Sequence, residues 1–184
     1  MRKFFWGVLI TLLVIFVGGL SVVLLGYMPT HANATPPKWE ESLASRALDA
    51  SMEHHAPRVA NPIPATDENL IEGMKIYTMN CALCHGRLDN QRSPLENHFY
   101  PPVPQLIAEP VDDPEWHIYY AVRTGVRYTG MPAWDGILTP DQMWKVTAFL
   151  TRLEKLPPGV QDYWKNSFGT GPQPHAEGGE EHHH

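Results

Sequence analysis

Cys81-Ala82-Leu83-Cys84-His85 is the stretch on which the reading of this chain turns. Two thiols three positions apart lie about one helical turn from each other, and a histidine follows at once. They are the only two cysteines in 184 residues, so no disulfide framework is available. A bridge between the two across so short a span is strained and uncommon. Structural zinc takes about four ligands, and no second cysteine pair completes such a set. A thioredoxin-like redox pair belongs to a βαβ unit, and no stretch here alternates as a strand does; a haem-free thiol–disulfide protein is the remote alternative. Cys-x-x-Cys-His is also the attachment pattern of c-type haem. Two thiols on one turn form thioethers to the two vinyl groups, and the next residue sets a ring nitrogen on the iron. Haem attachment is the favoured reading.

On either side of the motif the signals are helical. Thr66 or Asp67 caps a helix running through Leu70, Ile71, Met74 and Tyr77 to about Cys81. Asp113, with Pro114 at the first helical position, opens a second that stops at Gly125. Thr139-Pro140-Asp141-Gln142 fits a capping box, and the helix after it runs through Met143, Val146, Phe149 and Leu150 to Pro157. Met74, Met79 and Met143 read as buried filler in these helices. The class is all-α, with residues 67–156 as the folded unit. Three helices joined by proline-dotted loops make a thin core, and domains this small usually need a staple or cofactor.

These segments resemble the single-haem, globular class I cytochrome c family over nearly all of residues 67–156. Gly73-Met74-Lys75-Ile76-Tyr77, followed by Thr78-Met79-Asn80-Cys81, is similar to that family's N-terminal helix. The resemblance implies a small cytochrome c fold in which Gly73 and Tyr77 pack on the helix holding Val146, Phe149 and Leu150. Without a side chain at Gly73 the two backbones can cross in contact. Trp144 is then either core or interface. Pro104-Gln105-Leu106 resembles the family's Pro-x-Leu segment, which implies that the Pro104 carbonyl accepts the Nδ1–H of His85. The plain alternative is one more loop proline beside Pro101 and Pro102.

Gly130-Met131-Pro132-Ala133-Trp134, after Val122-Arg123-Thr124-Gly125, resembles the family's methionine loop. It implies Met131 as second axial ligand, 46 residues beyond His85, with one covalent haem c under His/Met ligation. His98 and His117 are the substitutes to weigh against it. Arg87, Arg123 and Arg127 are candidates to pair with the haem propionates, and equally ordinary surface arginines. Tyr128 and Trp134 flank the methionine and are expected to line the haem, where aromatic bulk would exclude water and raise the potential.

Outside this unit the chain changes character. Phe4 to Leu25 is a run of 22 residues without a charge, preceded by Arg2 and Lys3. Residues 1–28 are expected to be a single-pass transmembrane anchor, since a cleaved signal peptide has an apolar region of only ~7–15 residues. Ala32-Asn33-Ala34 matches a cleavage pattern, so removal after Ala34 stays open. Basic residues before the run, and none after it until Lys38, put the N-terminus in the cytoplasm. Residues 29–66 hold six of the 18 prolines and read as a tether. Within it Leu43, Ala47, Leu48 and Met52 mark a short amphipathic helix, packed on the main domain or on a partner. His54 and His55 at its end read as a solvated pair. Residues 157–184 are rich in Pro and Gly and read as a tail. The closing His182-His183-His184 has the form of an appended tag as much as of native sequence, and no site is read from it.

After the apolar run, 12 basic residues face 20 acidic ones, a balance of −8. That acidity argues against nucleic acid as a partner. The expectation is an electron carrier rather than an enzyme, anchored in a bacterial inner membrane with its haem domain in the periplasm. It takes an electron from one redox protein and gives it to another, as a tethered shuttle or as a subunit of a respiratory or photosynthetic complex. A haem-based sensor or enzyme with an open iron site is the alternative.

Overall fold

The computed structural model describes residues 1–172, which form seven α-helices and one short 3₁₀ turn. Among the described residues the extended structure amounts to one isolated bridge, Asp135 to Leu138. The backbone divides into two compact units, Met1–His31 and the chain from Ala32 onward.

The first unit is α1, Arg2–Leu24, with none of its residues buried. Its 23 residues make it long and apolar enough to cross a membrane.

The second unit begins with α2, Lys38–His55, which starts directly after Pro36-Pro37. Glu40 and Glu41 in its first turn and His54 and His55 in its last suit the helix dipole. It packs on a later helix, α5 (Glu115–Thr124). Of the apolar series expected to face inward, only Met52 is buried, joined by Ala56 just beyond the helix, while Leu43 is 63% exposed. α3, Asp67–Asn80, is capped by Thr66, whose hydroxyl accepts the N–H of Asn69. α4 is the single turn Ala82–His85. α5 starts at Glu115 because Pro114 keeps an extended ψ of 148° and acts as the cap. α6, Pro140–Leu150, carries the capping box: Thr139 Oγ1 accepts from Gln142 N, and Gln142 Oε1 accepts from Thr139 N. It ends seven residues before Pro157, and the 3₁₀ turn Leu153–Lys155 follows.

The core forms where α3 crosses α6. A Cβ on Gly73 would overlap the Lys145 carbonyl oxygen and lie 2.7 Å from its carbon, so only glycine permits this approach. Around the crossing Leu70, Met74, Tyr77, Met143, Val146 and Phe149 are buried. The Tyr77 and Phe149 rings lie 5.9 Å apart. Trp144 is core, stacked on Tyr119 at 3.8 Å. Met79 departs from the filler reading: it faces outward and is 74% exposed.

The tail expectation fails at its start. Residues Pro158–Phe168 form α7, which packs on α3 and buries Val160 and Trp164 completely. Trp164 Nε1 donates to the Leu88 carbonyl at 2.7 Å, joined there by Thr170 Oγ1 at 2.6 Å. Proline at the first helical positions and Gly169 in a left-handed cap at φ 74° are ordinary helix boundaries. Spread over the whole segment, they look like tail composition. The terminal histidines lie outside the described residues.

Candidate functional site

α3 delivers Cys81. The Cys81 N–H closes the last turn of α3 on the Tyr77 carbonyl at 2.8 Å, and the Cys81 carbonyl accepts from Cys84 and His85 at 3.0 and 2.9 Å. The five-residue motif is thus one turn of helix, stopped by Gly86 at φ 95°. Tyr77 fastens its exit, donating to the carbonyls of His85 at 2.9 Å and Gly86 at 2.7 Å. Burial raises the phenol's pKa, so it stays protonated and a donor.

His85 Nδ1 lies 2.9 Å from the Pro104 carbonyl oxygen. A carbonyl only accepts, so Nδ1 carries the proton and Nε2 keeps its lone pair for a metal. Burial pulls the imidazole's pKa down against this bond, which favours the neutral ring. The cysteines are not bridged to each other. Burial, and then the charge of Cys84, pushes the Cys81 thiol up to about 12. Redox-active cysteines need the opposite shift, so Cys81 is not set up as an attacking thiolate.

A clamp that the sequence did not disclose holds this turn. Gln105 is buried; its Oε1 accepts from Ser93 N at 2.7 Å, and its Nε2 donates to the carbonyls of Cys84 at 3.1 Å and Val103 at 3.0 Å. Ser93 Oγ donates to the Leu83 carbonyl at 2.5 Å. The Cys84 and Leu83 carbonyls belong to the motif, so the Ser93–Gln105 segment grips it in addition to Tyr77. The only sequence signal was adjacency to Pro104.

The methionine loop hangs from the C-terminus of α5. Gly125 turns at φ 66°, where a Cβ would come 2.6 Å from Ala133 N. Val126 N donates to the Met131 carbonyl at 3.2 Å, and Met131 N donates to Thr129 Oγ1 at 3.1 Å. Trp134 N and Asp135 N return to the carbonyls of Val122 and Arg123, both at 3.1 Å. Met131 itself is half-buried.

The remaining candidates separate. Trp134 packs against the core, and its Nε1 is buried without a hydrogen-bond partner among the described residues. A buried donor of that kind suits a carboxylate of a bound haem, so the residues present fit the group. Tyr128 does not share its surroundings: it is 89% exposed, at φ 63°, because the tight turn forces it into the left-handed region. Arg123 pairs with Asp135 at 3.4 Å and Arg87 with Asp89 at 2.8 Å. Arg127 is exposed, with no ion-pair partner among the described residues. His98 is exposed, whereas His117 is buried with Nδ1 held 2.8 Å from Asp113 Oδ1.

Residues 68–150 match the family described as cytochrome C oxidase, cbb3-type, subunit III. The chain carries a c-type cytochrome domain. Such a domain binds haem c covalently and works in electron transfer, and Cys81 and Cys84 are the chain's only thiols for that bond. No curated protein and no solved structure matches. The matched span of the cytochrome covers α3 to α6, so α2 and α7 lie outside it.

Proposed function

We propose that this cytochrome carries single electrons between redox proteins on the exported side of a bacterial inner membrane, anchored by α1. The observation that carries the reading is the Cys81–His85 turn inside the matched domain, with His85 Nδ1 on the Pro104 carbonyl. Bound haem supplies a one-electron ferric/ferrous couple. Cys81 and Cys84 would hold it by thioethers, and His85, its tautomer set by Pro104, would ligate the iron through Nε2. Met131 would supply a second ligand, a soft thioether that would favour the ferrous state. With His85 and Met131 both engaged, the site would exclude substrate and oxygen, and electron transfer would be outer-sphere. Trp134 Nε1 is the best-supported donor to a propionate, with Arg127 and Arg123 as weaker ones.

The Pro-rich segment between α1 and the domain confines encounters to the membrane plane and raises local concentration. Transient redox encounters use small interfaces, often below ~1,200 Å². The same tether serves a shuttle or a subunit fixed in an oxidase. Stoichiometric subunits retained after gentle solubilisation identify the second; a cytochrome that elutes alone identifies the first.

The test is the reduced holoprotein's absorption spectrum with and without carbon monoxide. A low-spin ferrous spectrum that CO leaves unchanged is expected. Rapid CO binding would instead mark a sensor, and absence of haem bands a thiol protein. Met131→Ala is expected to lower the potential and open the iron to CO; a variant keeping both wild-type properties would remove Met131 from the iron.

A further inference from the structure

A helix that precedes the matched domain is tied to the methionine loop. Tyr100 Oη donates to Glu40 Oε1, in the first turn of α2, at 2.6 Å and across 60 residues of chain. The carboxylate raises the Tyr100 pKa above the ordinary phenol range, so the hydroxyl remains a donor. The neighbouring Phe99 lies against Gly130: a Cβ at position 130 would come 2.7 Å from its ring Cε1. The residue after Gly130 is Met131. The loop therefore has two supports of different origin. The inner one is its own turn, through Val126 and Thr129. The outer one is the Phe99-Tyr100 pair, fastened at Glu40. α2 also packs on α5, the helix from which the loop hangs.

We propose that Glu40, Tyr100 and Phe99 are positioning residues for Met131: α2, at the end of the tether, clasps the methionine loop through the Glu40–Tyr100 bond and the Phe99–Gly130 contact. The proposal rests on Met131 as axial ligand. It makes the tether part of the ligand's support, so the hold on the iron depends on residues that the cytochrome domain alone does not contain. Loosening the clasp raises the fraction of time that Met131 is off the iron, while the bonds of Tyr77, Gln105 and Pro104 on the His85 side do not include Glu40, Tyr100 or Phe99.

The test uses the full-length holoprotein with two readouts, amide hydrogen exchange of residues 126–131 and the rate of CO binding to ferrous iron. Tyr100→Phe keeps the ring and removes the donor. It is expected to raise both by roughly fivefold, the effect of one hydrogen bond of typical net strength. Glu40→Ala is expected to match it, and the double variant to be no worse than either single. Glu40→Gln keeps an acceptor and is expected to stay near wild type. Exchange within α3 is expected not to move, which a general loss of stability would not spare. Gly130→Ala, which collides with Phe99, should raise both readouts without touching α2. If Tyr100→Phe and Glu40→Ala leave loop exchange and CO rate unchanged in a protein whose wild type binds CO slowly, the clasp is refuted and Met131 ligation stands. If the wild type binds CO at once, the ligand assignment has failed first and the clasp falls with it.

Discussion

Replacing Gly73 by alanine sets two well-measured effects against each other, and the structure decides which wins. In a helix interior, alanine is favoured over glycine by about 0.8–1.0 kcal/mol. At position 73, though, the new Cβ would lie 2.7 Å from the Lys145 carbonyl carbon and 3.1 Å from Phe149 Cβ. Carbon atoms rest at about 3.5–4.0 Å, so α3 and α6 must part by about 1 Å. The closer contact is with main chain, so no rotamer change relieves it. A gap of that size forfeits roughly a quarter to a half of the dispersion energy along the crossing. Leu70, Met74, Tyr77, Val146 and Phe149 belong to the buried cluster around it. Overpacking costs about 1–3 kcal/mol, and a backbone collision puts this one at the upper end. After the propensity gain, the net loss is about 2 kcal/mol. Urea unfolding of the holoprotein, followed by far-ultraviolet circular dichroism, measures it. With slopes of about 1–3 kcal/mol/M, the midpoint should fall by about 1 M. A midpoint equal to or above wild type, at unchanged slope, would refute the close-crossing argument, because propensity alone predicts that sign.

Two further substitutions test parts of the molecule outside the recognisable motifs. Gln105→Leu keeps the volume but strands the Ser93 amide and the Cys84 and Val103 carbonyls, and should cost about 2–4 kcal/mol in the same urea assay; a loss below about 1 kcal/mol would mean that the clamp contributes little to the turn. Trp164→Ala empties a fully buried site and breaks the bond to Leu88, with an expected cost of about 3–5 kcal/mol. A variant as stable as wild type would show that α7 is not part of the core.

How much of this molecule could be read from its sequence depends on how far apart the partners lie along the chain. Thr66 and Thr139 announce their helices because a cap acts within three residues, and both bonds are present. The haem motif is equally compact. Gly73 was legible through a family likeness, and its reason, a backbone crossing, is visible only where Lys145 meets it. α7 was lost because Pro157, Pro158, Gly159, Gly169 and Gly171 dominate its composition. Yet Val160, Tyr163 and Trp164 recur at helical spacing, and weighing period above composition would have found it. Met79 was misread because spacing places a residue on a helix but does not say that another helix covers that face.

The residues that escaped reading share one property. Gln105 serves Cys84 from 21 positions away, Tyr100 reaches Glu40 across 60, and Trp164 reaches Leu88 across 76. Each is a polar group placed in a loop or helix for a carbonyl or carboxylate distant in sequence, and no local pattern marks such a pair. These three pairs also join the Cys81–His85 turn to the Ser93–Gln105 segment, that segment to α2, and α7 to the loop at Leu88. A short chain with a thin core gains little from apolar burial alone. The long-range polar ties therefore carry a larger share of what holds the Cys81–His85 turn and the loop after α5 in place than they would in a larger domain.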